Sequence, residues 1–224
     1  ARFAARFPTF TVHQDTLQRL REMVIQGEVD ALVPERVVQE LQKTFTTAEP
    51  GRFFAILAEC NALSHIWPTF TWTAERAQAV SLLVQQHATA AQLAAVIFAQ
   101  GSSAQQNAWM TRYHFPSHWG EYITLTARYY HARIQVTSDA ETLLDFLQAL
   151  DALRRAERAQ HIWQVWDALL HTTSVTPLLA TSILLKAQML LNTIDTTPLQ
   201  QQHLTGVAFK DALYQLRKQQ LKQF

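Results

Sequence analysis

Apolar residues recur at helical spacing along nearly the whole chain. Leu17, Leu20 and Val24 form one such series, and Gly27 follows it where a C-terminal helix cap belongs. A series with this spacing is typical of an amphipathic α-helix that turns one face to a core. The same pattern predicts helices over approximately 74–88, 90–100, 157–171, 177–192 and 207–222.

The prolines mark helix starts. Proline lacks the backbone N–H, but the N–H groups in the first turn of a helix have no intrahelical acceptor, so proline is tolerated there. Five of the seven prolines stand just before or at the start of a periodic apolar segment: Pro34, Pro50, Pro116, Pro177 and Pro198.

Side-chain caps predict further helix starts. Thr73 and Thr89 precede two periodic segments, and Ser138 with Glu141 has the spacing of a capping box. The one strand-like run, residues 134–137, is too short to found a sheet. The sequence therefore predicts an all-α fold, a multi-helical array of about eleven or twelve helices.

Composition favours a globular, cytoplasmic protein. Hydrophobic residues make up 48% of the chain and charged residues 17%, and the formal net charge is +1. A nucleic-acid role would therefore need a local basic face. Cys60 is the single cysteine, which excludes a disulfide framework and suits a reducing compartment. No apolar run reaches the roughly 18 residues of a membrane span.

The chain shows no catalytic constellation and no metal site. Nine histidines form no HExxH motif, and Pro116 interrupts the helical face that His114 and His118 would need to share. Five scattered glycines cannot form a phosphate-binding loop. Cys60 lies in an apolar stretch, where a core position is expected. We therefore predict no catalytic residue, no metal ligand and no cofactor in this chain itself.

The last segment carries basic residues at helical spacing. Its leucines (Leu213, Leu216 and Leu221) are predicted to face inward, and its cations outward: Lys210, Arg217, Lys218 and Lys222. Two interpretations remain open, a solvated helix face or contact with RNA phosphates.

Two adjacent segments resemble a known family. Residues 32–43 (LVPERVVQELQK) are similar to the neck motif of bacterial class II CCA-adding tRNA nucleotidyltransferases, and residues 52–63 (RFFAILAECNAL) are similar to its next helix. Residues 1–7 (ARFAARF) resemble the end of the family's Arg-rich neck helix. Beyond residue 65 the resemblance is limited to short echoes at 112–116 and 204–206.

Residues 65–72 (HIWPTFTW) break the helical periodicity, which places a domain boundary there. The resemblance gives the two parts and some of their residues a role. Residues 1–65 would be the neck, and 66–224 the body and tail that bind tRNA. Glu35, Arg36 and Glu40 would support the neck, although a purely structural role is as good an interpretation. Arg2 and Arg6, in the Arg-rich segment, are assigned with the four tail cations as RNA-binding residues.

The resemblance also implies an activity for the intact protein. Such enzymes add C, C and A to tRNA 3′ ends from CTP and ATP, with Mg²⁺ ions held by carboxylates of a catalytic head. That head is expected upstream of Ala1, because the chain opens neither on an initiator methionine nor on a signal peptide. This chain alone is expected to be inactive and to have tRNA as its partner, and the oligomeric state is left open.

One departure from many relatives is expected to remove an activity. Where an HD phosphohydrolase body has His-Asp, this chain has Phe98-Ala99. Aromatic and methyl side chains cannot bind a cation, so we expect no phosphohydrolase activity.

Two alternatives remain. A bacterial poly(A) polymerase fragment would typically have Pro-Ala-Arg at residues 34–36 and a long basic extension, and neither is present. A helical scaffold could bind other proteins through exposed tryptophans: Trp67, Trp72, Trp109 or Trp119.

Overall fold

The protein is built from helices. The structure, a computed structural model, describes residues 1–201 and 204–224, and within them no strand occurs. The prediction of an all-α fold is confirmed, with slightly more helices than expected because several are too short to show a periodic pattern. The described helices are α1 (Arg2–Arg6), α2 (Gln14–Ile25), α3 (Pro34–Thr44), α4 (Gly51–Glu59), α5 (Leu63–Ile66), α6 (Ala74–Gln85), α7 (Ala90–Phe98), α8 (Ser103–Tyr113), α9 (Ser117–Gln135), α10 (Ala140–Ala149), α11 (Ala156–His171), α12 (Thr181–Asn192), α13 (Thr197–Gln201) and α14 (Gly206–Leu221), with a 3-10 turn at Glu28–Ala31.

Most predicted helix starts lie where the sequence signals them. Pro34 occupies the first turn of α3. The Thr73 hydroxyl accepts a hydrogen bond from the Arg76 backbone N–H at 3.3 Å, and Thr89 forms a reciprocal capping box with Gln92. After α2 the backbone turns at Gly27, whose φ of 79° is in the left-handed region that glycine adopts without a steric cost.

Two local predictions were wrong. The cap of α10 is Asp139 rather than Ser138: its Oδ2 accepts the Thr142 backbone N–H at 3.0 Å. Helix α12 begins at Thr181 rather than 177, because the Leu178 N–H donates to the Ile134 carbonyl and holds that segment as a loop. The strand-like run 134–137 founds no sheet, as expected: residues 134–135 complete α9, and residues 136–137 are irregular.

The chain forms two compact units. The first consists of residues 1–128 and 164–174, and the second of residues 129–163 and 175–224. The predicted boundary between residues 65 and 66 lies inside the first unit. It was drawn where residues 65–72 break the helical periodicity, and it stays a prediction.

An aromatic core dominates the first unit. Phe98, at the end of α7, is almost fully buried, and its ring lies 5.2–6.3 Å, centroid to centroid, from five other aromatic rings. Those rings belong to Phe54, Trp67, Phe70, Trp109 and Phe115. Aromatic pairs at such distances add to the free energy gained from burying apolar surface.

The second unit packs α10 and α12 against α14. A fully buried arginine, Arg133, donates from Nη1 to the Leu179 carbonyl at 2.9 Å and from Nη2 to the Thr181 hydroxyl at 2.7 Å. These bonds fix the start of α12, because a buried cation that lost its hydrogen bonds would cost a large amount of free energy.

Candidate nucleic-acid interface

Helix α1 packs against α3 and α4 through two alanines. Ala4 and Ala5 are buried, and their small side chains allow α1 to approach α3 and α4 closely. The Glu49 backbone N–H donates to the Ala5 carbonyl at 3.1 Å. The opposite side of α1 is thereby left to face solvent.

Arg2 and Glu40 join α1 to α3. The Arg2 Nε lies 2.6 Å from Glu40 Oε2, and Lys43 Nζ donates to Glu40 Oε1 at 3.1 Å. Both carboxylate oxygens of Glu40 are therefore engaged. This contact supports the predicted bracing role of Glu40, and it shows that Arg2 is neutralised by a carboxylate.

The environment of Glu40 changes its acidity. Partial burial by itself raises the pKa of the Glu40 carboxyl, but the hydrogen bonds from Arg2 and Lys43 outweigh it and hold the pKa below its ordinary value. The carboxylate form is thus favoured over a wider pH range, which keeps the bridge to α1 formed.

Glu35 and Arg36 lie apart from that bridge. Both are exposed in the first turn of α3. Glu35 Oε1 lies 3.4 Å from His114 Nδ1, at the end of α8. The structure brings only one of the three predicted support residues, Glu40, against α1, and the support roles of all three stay predictions.

Three phenylalanines form a ridge along α1 and the turn that follows it. Phe3, Phe7 and Phe10 expose 67%, 37% and 67% of their surface. The Phe3 and Phe7 rings are 6.2 Å apart at 19°, and the Phe7 and Phe10 rings 5.5 Å apart at 24°. The guanidinium carbons of Arg2 and Arg6 lie 5.6 and 5.3 Å from the Phe3 and Phe7 ring centres. We call these three residues the phenylalanine ridge.

The ridge is held in place from below by Arg52. Its Nη1 donates to the Pro8 carbonyl, and its Nη2 donates to the Phe10 carbonyl at 2.9 Å. Sequence reasoning missed both the ridge and this clamp. The helix ends at Arg6, so the ridge depends on the turn at residues 8–9, which helical spacing in the sequence does not reveal.

The tail cations, all in the second unit, differ in exposure. Lys210 and Lys222 are exposed as predicted. Arg217 is half-buried, and burial lowers its pKa. Lys218 is also half-buried, and its Nζ donates to Glu141 Oε2 on α10 at 2.5 Å. The prediction that all four lie outside was therefore wrong for Arg217 and Lys218, because α14 turns them toward α10 or into the packed unit.

One helical turn before Lys218, a second side chain of α14 bonds to α10. The Tyr214 hydroxyl donates to Asp145 Oδ1 at 2.8 Å. That hydrogen bond, then burial and the nearby carboxylates, raises the pKa of Tyr214 to about 12. Glu141 and Asp145 are four residues apart on α10, as are Tyr214 and Lys218 on α14, so two polar bonds stack along the contact of these helices.

The structure assigns positions to the other residues singled out in the sequence. Cys60 is buried, and its Sγ lies 3.6 Å from the Leu57 carbonyl. Phe98 and Ala99 are buried beside the aromatic core. Within the described residues, no group of three or more His, Cys, Asp or Glu side chains could hold a metal ion, so these residues do not fit a Mg²⁺ site.

The tryptophans are mostly internal. Trp67, Trp109 and Trp119 are buried, and only Trp72 is partly exposed. The scaffold interpretation needs exposed indoles, and three of its four candidates lack them.

Comparisons with known proteins show which class of protein has this architecture. Residues 9–72 match a family model described as the probable RNA and SrmB-binding site of polymerase A. A CCA-adding enzyme of Coxiella burnetii is 33% identical over 223 residues, covering 99% of this chain and 58% of the relative. A multifunctional CCA protein of Burkholderia multivorans is 60% identical over 68 residues, which cover 30% of this chain and 16% of the relative.

Solved structures share the fold. The Thermotoga maritima CCA-adding enzyme complexed with tRNA gives a TM-score of 0.62 at 16% identity and covers all of this chain and 55% of the other. An apo CCA-adding enzyme gives a TM-score of 0.66 at 15% identity and covers 99% of this chain and 53% of the other.

Together these findings show that the chain is similar in sequence and fold to part of the CCA-adding enzymes. More specifically, the chain matches the C-terminal part of class II CCA-adding enzymes, as its neck motif predicts. The chain spans slightly more than half the length of the relatives that it matches from end to end. Among residues 1–201 and 204–224, no helix has the length and apolar character needed to cross a membrane.

Proposed function

We propose that this chain is the tRNA-holding neck, body and tail of a CCA-adding tRNA nucleotidyltransferase. The observation that carries the proposal is the 33% identity to a CCA-adding enzyme over 99% of the chain. The family model over residues 9–72 and the 60% identity over 68 residues to a multifunctional CCA protein support it. The complete protein would add CCA to tRNA 3′ ends from CTP and ATP in the cytoplasm.

The chain's own residues would bind and position rather than react. Glu40 and Arg2 fix α1 on α3, and the exposed cations Arg6, Lys210 and Lys222 are available to RNA phosphates. Mg²⁺ would accompany ATP and CTP in a catalytic head outside this chain, since the described residues offer no donor set for it. We therefore assign no bond-making step to any residue described here.

Binding of tRNA to this chain tests the proposal directly. We expect weak binding to several unrelated tRNAs with little preference among them, because duplex RNA is recognised by shape and phosphate contact. The logarithm of the association constant should fall linearly with the logarithm of the salt concentration. No measurable tRNA binding at about 50 mM salt would count against the proposal.

A second candidate is a poly(A) polymerase, which the wording of the matched family model favours. The two activities differ in product. The complete protein, given a tRNA that lacks its 3′ CCA, should add two C and one A from a mixture of CTP and ATP and then stop. A long A tract made from ATP alone would identify the polymerase instead. The Pro-Glu-Arg at residues 34–36 favours the first outcome.

A further inference from the structure

We propose that the bond between Lys218 and Glu141 is an autoinhibitory contact that withholds a tail cation from RNA. A carboxylate of α10 takes the place beside the lysine that an RNA phosphate would otherwise take. The inference rests on the proposed function for its choice of RNA as the ligand. It adds a restraint on RNA binding that this function does not include.

Helix α14 carries its lysines in a row. Four side chains follow one another at intervals of four residues: Lys210, Tyr214, Lys218 and Lys222. Residues four apart on a helix are neighbours on its surface. Lys210 and Lys222, at the two ends of the row, are exposed. A row of lysines suits the phosphates of an RNA strand, but this row is complete only when its middle cation is available.

The middle of the row is occupied by α10. Lys218 Nζ donates to Glu141 Oε2 at 2.5 Å, and only 23% of the Lys218 side chain is exposed. One turn earlier, the Tyr214 hydroxyl donates to Asp145 Oδ1 at 2.8 Å. The two middle positions of the row are therefore both bonded to carboxylates of α10.

Three carboxylates lie near these two positions. Glu141 and Asp145 are on α10, and Asp139 caps its start. All three act on Tyr214: the hydrogen bond to Asp145, then burial, then the charges of the three carboxylates raise the pKa of Tyr214 to about 12. Their combined negative charge favours Lys218 at this place and disfavours an RNA phosphate.

The carboxylate and RNA compete for one ammonium group. A phosphate that replaces Glu141 exchanges one ion pair for another, so it gains little from Lys218 and displaces few counterions. The contact can nevertheless be displaced, since an ion pair at a partly exposed site contributes little to stability. The bond to Glu141 thus lowers RNA affinity without closing the tail to RNA.

The test measures binding of a fluorescently labelled tRNA to this chain at several salt concentrations. Glu141→Gln removes the carboxylate and frees Lys218. Asp145→Asn is the matched control, because it removes the same charge from the same helix but releases a tyrosine instead of a cation. Glu141→Gln/Lys218→Gln tests whether the freed lysine causes the effect. The urea midpoint of each variant confirms that it is folded.

We expect Glu141→Gln to bind tRNA roughly threefold more tightly than the parent chain at low salt. Its salt slope should steepen by about 0.7 to 0.9, the value for one phosphate contact. Asp145→Asn should keep the parent slope, with a smaller gain in affinity from reduced repulsion. The Glu141→Gln/Lys218→Gln variant should return to the parent slope.

Two results would overturn the inference. Equal gains in affinity for Glu141→Gln and Asp145→Asn, with the parent slope in both, would show that the carboxylates act through their charge alone. Unchanged or weaker binding by folded Glu141→Gln would show that the contact orients α14 and does not restrain it. In either case tRNA binding by the parent chain leaves the proposed function standing. If neither the parent chain nor any variant binds tRNA, the proposed function fails and this inference fails with it.

Discussion

At Glu40 two physical effects act on one carboxylate in opposite directions. Burial disfavours its charge, and hydrogen bonds from Arg2 and Lys43 favour it more strongly. The result is a short bridge between two helices that sequence resemblance alone assigned to neck support. The bridge also engages Arg2, which makes Arg6 the freer of the two cations on α1.

Replacing Glu40 by glutamine should weaken the bridge modestly. We expect a loss of about 0.5 kcal/mol in the free energy of unfolding, small because the carboxylate is partly solvated. Since the folded-state pKa is lowered, the stabilisation is present above the ordinary pKa of 4.5 and is lost as the pH falls through the folded value. Urea unfolding of the parent chain and of Glu40→Gln at pH 7 and pH 3 measures this loss. A loss of unfolding free energy that is larger at pH 3 than at pH 7 would contradict the stabilising role of the Glu40 carboxylate.

The sequence shows which residues could matter more readily than it shows which residues they contact. It singled out Glu40 but could not pair it with Arg2, because the partners are 38 positions apart. Glu35 and Arg36 looked equivalent to Glu40 in the motif, yet they lie on the exposed first turn of α3. Which carboxylate meets α1 depends on the helix packing angle, and no local pattern encodes that angle.

At the scale of elements, α14 carries its cations in two environments. Lys210 and Lys222 face solvent, whereas Lys218 bonds to Glu141 on α10. A lysine already paired with a carboxylate displaces fewer counterions from RNA, so it should contribute less to RNA affinity.

We predict different effects on tRNA binding for matched lysine substitutions. Lys222→Gln and Lys210→Gln should each lower the salt slope by about 0.7 to 0.9, the value for one phosphate contact. Lys218→Gln should change it much less. Filter binding at several salt concentrations provides the slopes. Equal slopes for all three variants would show that the bond to Glu141 opens when RNA binds.

Tyr214 reports on the contact between α10 and α14. Because the pKa of Tyr214 is raised to about 12, it should ionise late when absorbance at the phenolate band is followed with pH; burial also raises the pKa of Tyr113. The contribution of Tyr214 to the free energy of unfolding is complete below pH 10 and is lost as the pH rises toward 12. Tyr214→Phe should remove one tyrosine from the late-ionising group, and Asp145→Asn should shift the ionisation of Tyr214 to lower pH.

Helix starts were predictable where a single side chain or proline determines them, as at Pro34, Thr73 and Thr89. The start of α12 was not. Pro177 suggested a first turn, but the following residues bond to α9 instead, through Leu178 to Ile134. A hydrogen bond between residues more than 40 positions apart thus determines this helix start, and a local signal such as proline cannot predict it.

At the scale of the molecule, Phe98 occupies the centre of the aromatic core where some relatives are expected to carry a metal-binding pair. The ring is 1% exposed and is surrounded by five aromatic side chains. The sequence predicted the loss of His-Asp chemistry at this position. It did not predict that the position had become a packing centre, because that depends on rings brought from α4, α8 and the loops after α5 and α8.

Truncating Phe98 should therefore destabilise the protein severely. For Phe98→Ala we expect a loss of about 3–5 kcal/mol, the sum of lost apolar burial and the cavity that remains. The matched control Phe3→Ala should stay within about 0.5 kcal/mol, because Phe3 lies at the surface. Thermal or urea unfolding of the two variants measures both losses. Similar losses of unfolding free energy for Phe98→Ala and Phe3→Ala would mean that Phe98 does not lie in the core.

The phenylalanine ridge also has a consequence for handling the protein. Three rings in water lower the solubility of any preparation, and the penalty grows with concentration because two copies can cover each other's rings. Light scattering of concentrated samples of this chain should therefore rise with protein concentration, and Phe3→Ser/Phe10→Ser should reduce it.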